Sequence, residues 1–135
     1  MRFIVFCLIT ILPSCVSSPP AEPDPGDAYI KQASSDIPRE YSSVTVSKVE
    51  RRDKNLVTTF VFFDNQPVTI KHLTVGMTEA GPIIKEEHRK ICNDKYFLPL
   101  IALGYTFSVE LVINPKVKLL PLTEENCIKQ GYLVK

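Results

Sequence analysis

Directly behind Arg2 stands an uncharged apolar run of ten residues, Phe3-Ile4-Val5-Phe6-Cys7-Leu8-Ile9-Thr10-Ile11-Leu12. It constrains the chain more than any other feature. A membrane-crossing helix needs about 20 such residues to span about 30 Å of hydrocarbon. Half that length after a positive start is the size of a secretory signal's apolar region. A buried N-terminal core helix would have to continue into Pro19, Pro20, Pro23 and Pro25, and proline cannot sustain one. The expectation is a signal peptide over residues 1–14, followed by folding outside the cytoplasm.

The stretch Leu12-Pro13-Ser14-Cys15 resembles a bacterial lipobox, with Leu three residues before Cys and a small residue directly before it. Pro13 stands where a small or β-branched residue is usual. The resemblance implies lipidation of Cys15, which becomes the N-terminal residue, and Val16 after it implies the outer membrane in a Gram-negative host. The diacylglycerol and amide-linked chains together meet the requirement of stable anchoring for more than one acyl chain. Cleavage after Ser14 or Ser18, giving a secreted protein, is the alternative.

Cys7 leaves with the signal and Cys15 carries lipid, so Cys92 and Cys127 remain, with one intramolecular pairing open to them. An oxidising compartment favours that disulfide. In the chain-entropy model it is worth about 3–4 kcal/mol. A redox or catalytic thiol would call for a CxxC spacing, which is absent.

Sixteen Lys and Arg face fifteen Asp and Glu over 135 residues, and removing Arg2 leaves fifteen of each. A nucleic-acid binder usually carries a strong basic excess, so that class is disfavoured. Five Gly, eleven Pro and no Trp disfavour collagen, P-loop enzymes and long coiled coils. The length suits one small domain. Residues 15–37 read as the lipid-bearing Cys and a Pro-rich tether, semi-rigid and poor in core material. Residues 38–135 read as the domain.

Within it, Ser43-Val44-Thr45-Val46-Ser47 alternates as a half-buried strand, and Arg51-Arg52-Asp53-Lys54-Asn55 suits a hairpin turn. Leu56 to Phe63 is β-branched and aromatic throughout, fitting a strand buried on most of both faces. Asp64-Asn65-Gln66-Pro67 makes a turn, and Val68-Thr69-Ile70 reads as the start of a third strand. Gly81-Pro82 opens a helix with Ile84, His88 and Ile91 on one face. A second short helix around Pro99 ends at Gly104. Tyr105 to Ile113 alternates as a strand, Asn114-Pro115 turns it, and Val117-Lys118-Leu119-Leu120 pairs back. Thr123 then caps a helix with Glu124 and Glu125 in its first turn, carrying Cys127 and stopping at Gly131. The fold class expected is α+β: an antiparallel sheet with short helices on one face and one disulfide.

The succession of Cys92, Leu100-Ile101-Ala102-Leu103-Gly104, the strand pair over 105–120 and Cys127 resembles the plan of small Gram-negative periplasmic lipoproteins, most without assigned activity. The resemblance spans the last third of the chain and implies fold more than function.

Chemistry motifs are scarce. Neither His72 nor His88 sits in a zinc-peptidase motif, and no GxSxG, Walker loop or GxGxxG occurs. Glu86-Glu87-His88 with Cys92 offers two metal ligands at most, and a disulfide-bonded Cys92 offers none. No metal, cofactor or catalytic residue is expected. Two surfaces are candidates for a partner: Arg51, Arg52 and Lys54 at the hairpin tip, and Phe60 and Phe62 if they point away from the helices. The bland readings are a solvated turn and a buried pair. The expected function is a non-catalytic envelope lipoprotein that binds another protein, as accessory or local chaperone of a larger assembly. The alternative is a periplasmic inhibitor or immunity protein against a cell-wall enzyme or toxin.

Overall fold

A computed structural model describes residues 17–63, 80–114 and 116–134. The signal peptide, Cys15, the turn and strand expected over residues 64–70, and His72 lie outside them. The elements run α1 (Pro25–Ala33), β1 (Arg39–Glu40), β2 (Val44–Arg52), β3 (Asn55–Phe62), α2 (Ala80–Cys92), α3 (Phe97–Ala102), β4 (Thr106–Ile113), β5 (Lys116–Leu122) and α4 (Glu124–Lys129). One five-stranded sheet in the order β1-β2-β3-β4-β5 gathers all the described strands, so the α+β class holds.

The β2–β3 hairpin closes from Arg52↔Asn55 around Asp53-Lys54. Asp53 takes φ +59°, a left-handed conformation that Asp tolerates better than most residues. Along β2 the register shifts between Val46 and Lys48. This bulge resets the strand's two-residue alternation, so Val44, Val46 and Val49 all reach the core although their spacing is uneven.

The sheet is not wholly antiparallel. β3 and β4 run parallel from Asn55↔Thr106 to Val61↔Val112, while the other pairs are antiparallel. The long connection through α2 and α3 returns the chain to the starting edge of β3, and such a crossover is what a parallel pair requires.

The helices cover one face. Tyr29 of α1 meets Phe107 edge-on at 5.2 Å, and Phe97 of α3 lies 4.8 Å from the same ring. Ile84 and Ile91 of α2 are buried, as their shared helix face predicts. The disulfide joins Cys92, at the end of α2, to Cys127 in α4, with Cα atoms 5.9 Å apart. Thr123 caps α4: its hydroxyl accepts from the Asn126 N–H, and the Asn126 side chain accepts from the Thr123 N–H in return. Gly104 and Gly131 follow α3 and α4 at φ +84° and +73°, where any side chain would be strained.

The expected tether is too long, because α1 falls inside residues 15–37. Asp24 is its N-cap, accepting from the Gly26 N–H at 2.8 Å, and Pro25 occupies the first helical position. Gly26 is pressed against Tyr105 so closely that an added Cβ would meet Cε1 at 2.6 Å. Tyr29 is part of the core. Composition hid this, since a proline at the first turn of a helix costs nothing although proline also marks linkers.

Candidate functional site

The basic hairpin tip is occupied by the fold itself. Arg51 Nη1 lies 2.7 Å from Asp24 and 3.1 Å from Asp27, tying the start of α1 to β2. Arg52 pairs with Glu50 and reaches across β3 to Glu110 on β4. Hydrogen bonds donated to these two carboxylates hold the Arg52 guanidinium well above its ordinary value. Lys54 donates to the Leu103 carbonyl at 3.1 Å and sits over the Tyr105 ring. The three cations therefore organise the domain's own surface, each exposed pair contributing about 0–1 kcal/mol. They do not form an open basic patch.

Phe60 and Phe62 are buried and point beneath the helices, which removes them as a partner surface. Their strand alternates, and the opposite face carries Val57, Thr59 and Val61 instead. On that outer face Val57 is buried although no described helix lies over it. The Arg52–Glu110 bridge spans β3, and Thr59 donates to the same Glu110 carboxylate at 3.2 Å.

The apolar surface that the structure does expose lies further along the outer face. Val117 and Leu119 of the edge strand β5 are 59% and 46% exposed. Their cross-strand partners are Val112 and Glu110, and Val112 in turn pairs with Val61. Val61 and Val112 are half-buried, so a short apolar strip runs across β3, β4 and β5 beside the ion pairs. The sequence shows β5 as a strand, but consecutive Leu119 and Leu120 blur which residues face outward.

On the helix side the structure assembles a charged cluster that no motif announces. Glu87 on α2 is 1% exposed, yet it is fully paired. Arg39 Nη2 donates to it at 2.5 Å, the Tyr41 hydroxyl at 2.6 Å and Lys90 Nζ at 2.9 Å. Burial pushes the Glu87 carboxyl up, but the donors outweigh it and hold it below its ordinary value. The cluster borders a cleft of about 220 Å³ reached by Tyr29, Asp36 and Asp94. Arg39 Nε, also buried there, has no hydrogen-bond partner among the described residues. Glu87 lies one residue from the expected apolar face of α2. Two of its three partners, Arg39 and Tyr41, are forty or more positions away in sequence, so only the fold reveals the cluster.

His88, the next residue, is half-buried and packs edge-on against Phe60 at 6.4 Å between centroids. It borders a second cavity of about 370 Å³ between α2, α4 and the β4–β5 edge. Its Nε2 is buried without a partner among the described residues. Burial pushes the imidazole down to about 4, opposed only by nearby Glu87, so the ring is neutral at pH 7. A buried, unpaired polar group of this kind costs about 1–3 kcal/mol. Among the described residues no group of three or more His, Cys, Asp or Glu is placed to hold a metal ion.

The class defined is a small disulfide-stapled α+β domain, with the described helices on one face of a mixed sheet. No protein-family model matches the chain, and no curated protein does. Among solved structures, a crystal structure of a Pseudomonas aeruginosa protein provisionally described as secreted is similar with a TM-score of 0.45. The match is 12% identical and covers 73% of this chain and 80% of that one. A likeness that loose carries no argument about function. Among the described residues no helix is long and apolar enough to cross a membrane.

Proposed function

We propose that the protein is an exported, non-catalytic component of the cell envelope, held to a membrane by lipid on Cys15, that binds a protein partner through the outer face of its sheet. The observation that carries the binding reading is the strip of Val61, Val112, Val117 and Leu119 on the face that none of the described helices covers. An apolar centre with a charged margin is the usual anatomy of a protein interface. The margin supplies Lys48, Glu50, Arg52 and Glu110, paired with one another along one side. Lys116 and Lys118 belong to the other face, opposite Ile113 and Leu111, so the partner surface that fits is mainly apolar. Docking is on the face and not by strand addition, because Pro121 lacks an N–H and edge lysines discourage pairing. Export is supported by the apolar run behind Arg2 and by the fit of a disulfide to an oxidising compartment.

Photo-crosslinking side chains placed at Val117 and Leu119 in living cells, with a control at Lys129 on α4, test this. One discrete adduct at both strand positions, absent at the control, is expected. It should disappear from position 117 when Leu119→Asp is added without a change in melting temperature, and the purified partner should bind the wild-type domain and not Leu119→Asp. Equal adducts at the control, or none at either strand position, overturn the reading.

A further inference from the structure

Helix α3 is apolar on its exposed side as well as on its buried one. Phe97 and Leu100 are buried, while Leu98, Pro99 and Ala102 are exposed, with Leu103 exposed beside them at the C-terminal cap. Leu98 and Leu103 are 44% and 54% exposed. A surface helix ordinarily turns polar residues outward. Here no charged residue occurs from Tyr96 to Val109, so the outward side has none to present. An exposed apolar side of this kind marks a contact surface.

Two observations point to what covers it. The first is where the N-terminal segment joins the domain. Asp24, the cap of α1, accepts from the Tyr105 hydroxyl, and Tyr105 stands two positions after Leu103. Lys54 ties the same corner, donating to the Leu103 carbonyl at 3.1 Å and lying 5.3 Å from the centre of the Tyr105 ring. The end of α3 and the start of α1 are therefore neighbours. Cys15 lies nine positions before Asp24, a segment that spans at most about 30 Å when fully extended. Lipid at Cys15 would keep this corner within reach of the bilayer. The second observation is the rim. Lys54 and Lys95 are exposed at the two ends of the apolar side, each over a tyrosine ring, Tyr105 and Tyr96 respectively. Asp94, beside Lys95, is already engaged by Gln32 and by the Tyr96 N–H. Lysine and tyrosine flanking an apolar segment suit the headgroup level of a membrane, where the ammonium can meet lipid phosphate.

We propose that, in the chain anchored through Cys15, the exposed side of α3 rests in the phospholipid interface, with Leu98 and Leu103 at the acyl boundary and Lys54 and Lys95 at the phosphates. This orientation depends on the lipid proposed at Cys15. The tether makes a weak contact intramolecular, so two leucines suffice where they would not hold an untethered domain. With α3 turned to the bilayer, Val117 and Leu119 on the sheet's other face are left to a protein partner.

The chain contains no Trp, so a single introduced one reports its own surroundings. The test uses the full chain carrying Leu98→Trp, Leu103→Trp or, as control, Val117→Trp. Each is extracted from native membranes and reconstituted into vesicles of phosphatidylethanolamine and phosphatidylglycerol, with or without brominated acyl chains. Brominated lipid should quench the emission from positions 98 and 103 and leave that from 117 unchanged. Leu98→Asp added to Leu103→Trp should abolish the quenching without lowering the melting temperature. An acylated chain unquenched at both 98 and 103 overturns the proposal and leaves the anchor standing. If iodide also fails to reach those positions, a second copy or another segment of this chain covers the leucines instead. Equal quenching at 117 overturns the proposal too, since it marks adsorption without orientation. Intact mass of the same preparation reports the acylation separately, and an unacylated chain overturns the anchor and this orientation together.

Discussion

Two adjacent residues of α2, Glu87 and His88, carry opposite burdens of burial, and acid separates them. Unfolded, His88 takes up its proton near pH 6.5; folded, burial defers that to about pH 4. Between those values the unfolded chain binds more protons, so stability falls as the pH drops from about 6.5 to about 4. At most this amounts to about 3 kcal/mol. The charged neighbour opposing the shift is Glu87, while Lys85 and Tyr132 border the same cavity. Glu87 acts lower. Its folded value lies below the ordinary 4.5, so its contribution is complete above that pH and is lost only as acid passes through the folded value. Urea unfolding from pH 7.5 to 3.5 should therefore show a decline that His88→Gln flattens between about 6.5 and 4. Glu87→Gln should instead lower the whole curve above pH 4.5 by about 3 kcal/mol. That is the lower end for a broken buried pair, because Arg39 remains 22% exposed and water can reach it. Identical slopes for wild type and His88→Gln would sink the assignment. The sequence marks His88 as part of the packed helix face, but it hides Glu87 in a charged string whose partners come from β1 and the loop after it.

At the scale of elements, strands β2 to β5 and the three later helices are legible because their periodicity and caps are local, whereas the two-residue β1 is not. Thr123 with its acidic first turn and the glycine stops at Gly104 and Gly131 work as their chemistry requires. What local pattern misses is α1, whose residues resemble a linker until Tyr105 and Phe107 are brought against them. Asp24 holds this helix three ways: by capping the Gly26 N–H, by accepting from the Tyr105 hydroxyl and by pairing with Arg51. Those contacts and the Tyr29–Phe107 packing make α1 part of the domain. A chain beginning at Pro38 should lose the cover over Phe107 and become markedly less stable than one beginning at Ser17. Tyr29→Ala in the longer chain should cost about 3–5 kcal/mol, the range for removing a buried aromatic ring. Equal chemical-denaturation midpoints for the two lengths would show that α1 merely rests on the sheet.

For the whole molecule, the layout follows from one long connection. With α2 and α3 between them, β3 and β4 pair in parallel, and every described helix is left on the same side of the sheet. Periodicity reports which residues form strands but not which strand a distant one joins, so the parallel pair was not legible although the intervening helices were. The same gap explains the candidate surfaces. Phe60 and Phe62 are aromatic in either orientation, and only the pairing decides that they face the helices. The result is a domain with one face covered by the described helices, one face that none of them covers, and an N-terminal helix capped at Asp24 that residues 17–23 precede. Lipid at Cys15 would hold the domain near a membrane while leaving the outer face free to meet a partner. Intact mass of protein extracted from native membranes tests that arrangement. The expected species begins at Cys15, carries added acyl chains and gains about two hydrogen masses on reduction, from the Cys92–Cys127 bridge. Cys15→Ser should move the protein to the soluble fraction without changing its unfolding midpoint, since the anchor lies outside the packed domain. An unacylated species in the wild type, with the same reduction shift, would remove the anchor and leave a secreted domain with the same two faces. Retention of residues 1–14 would remove export itself.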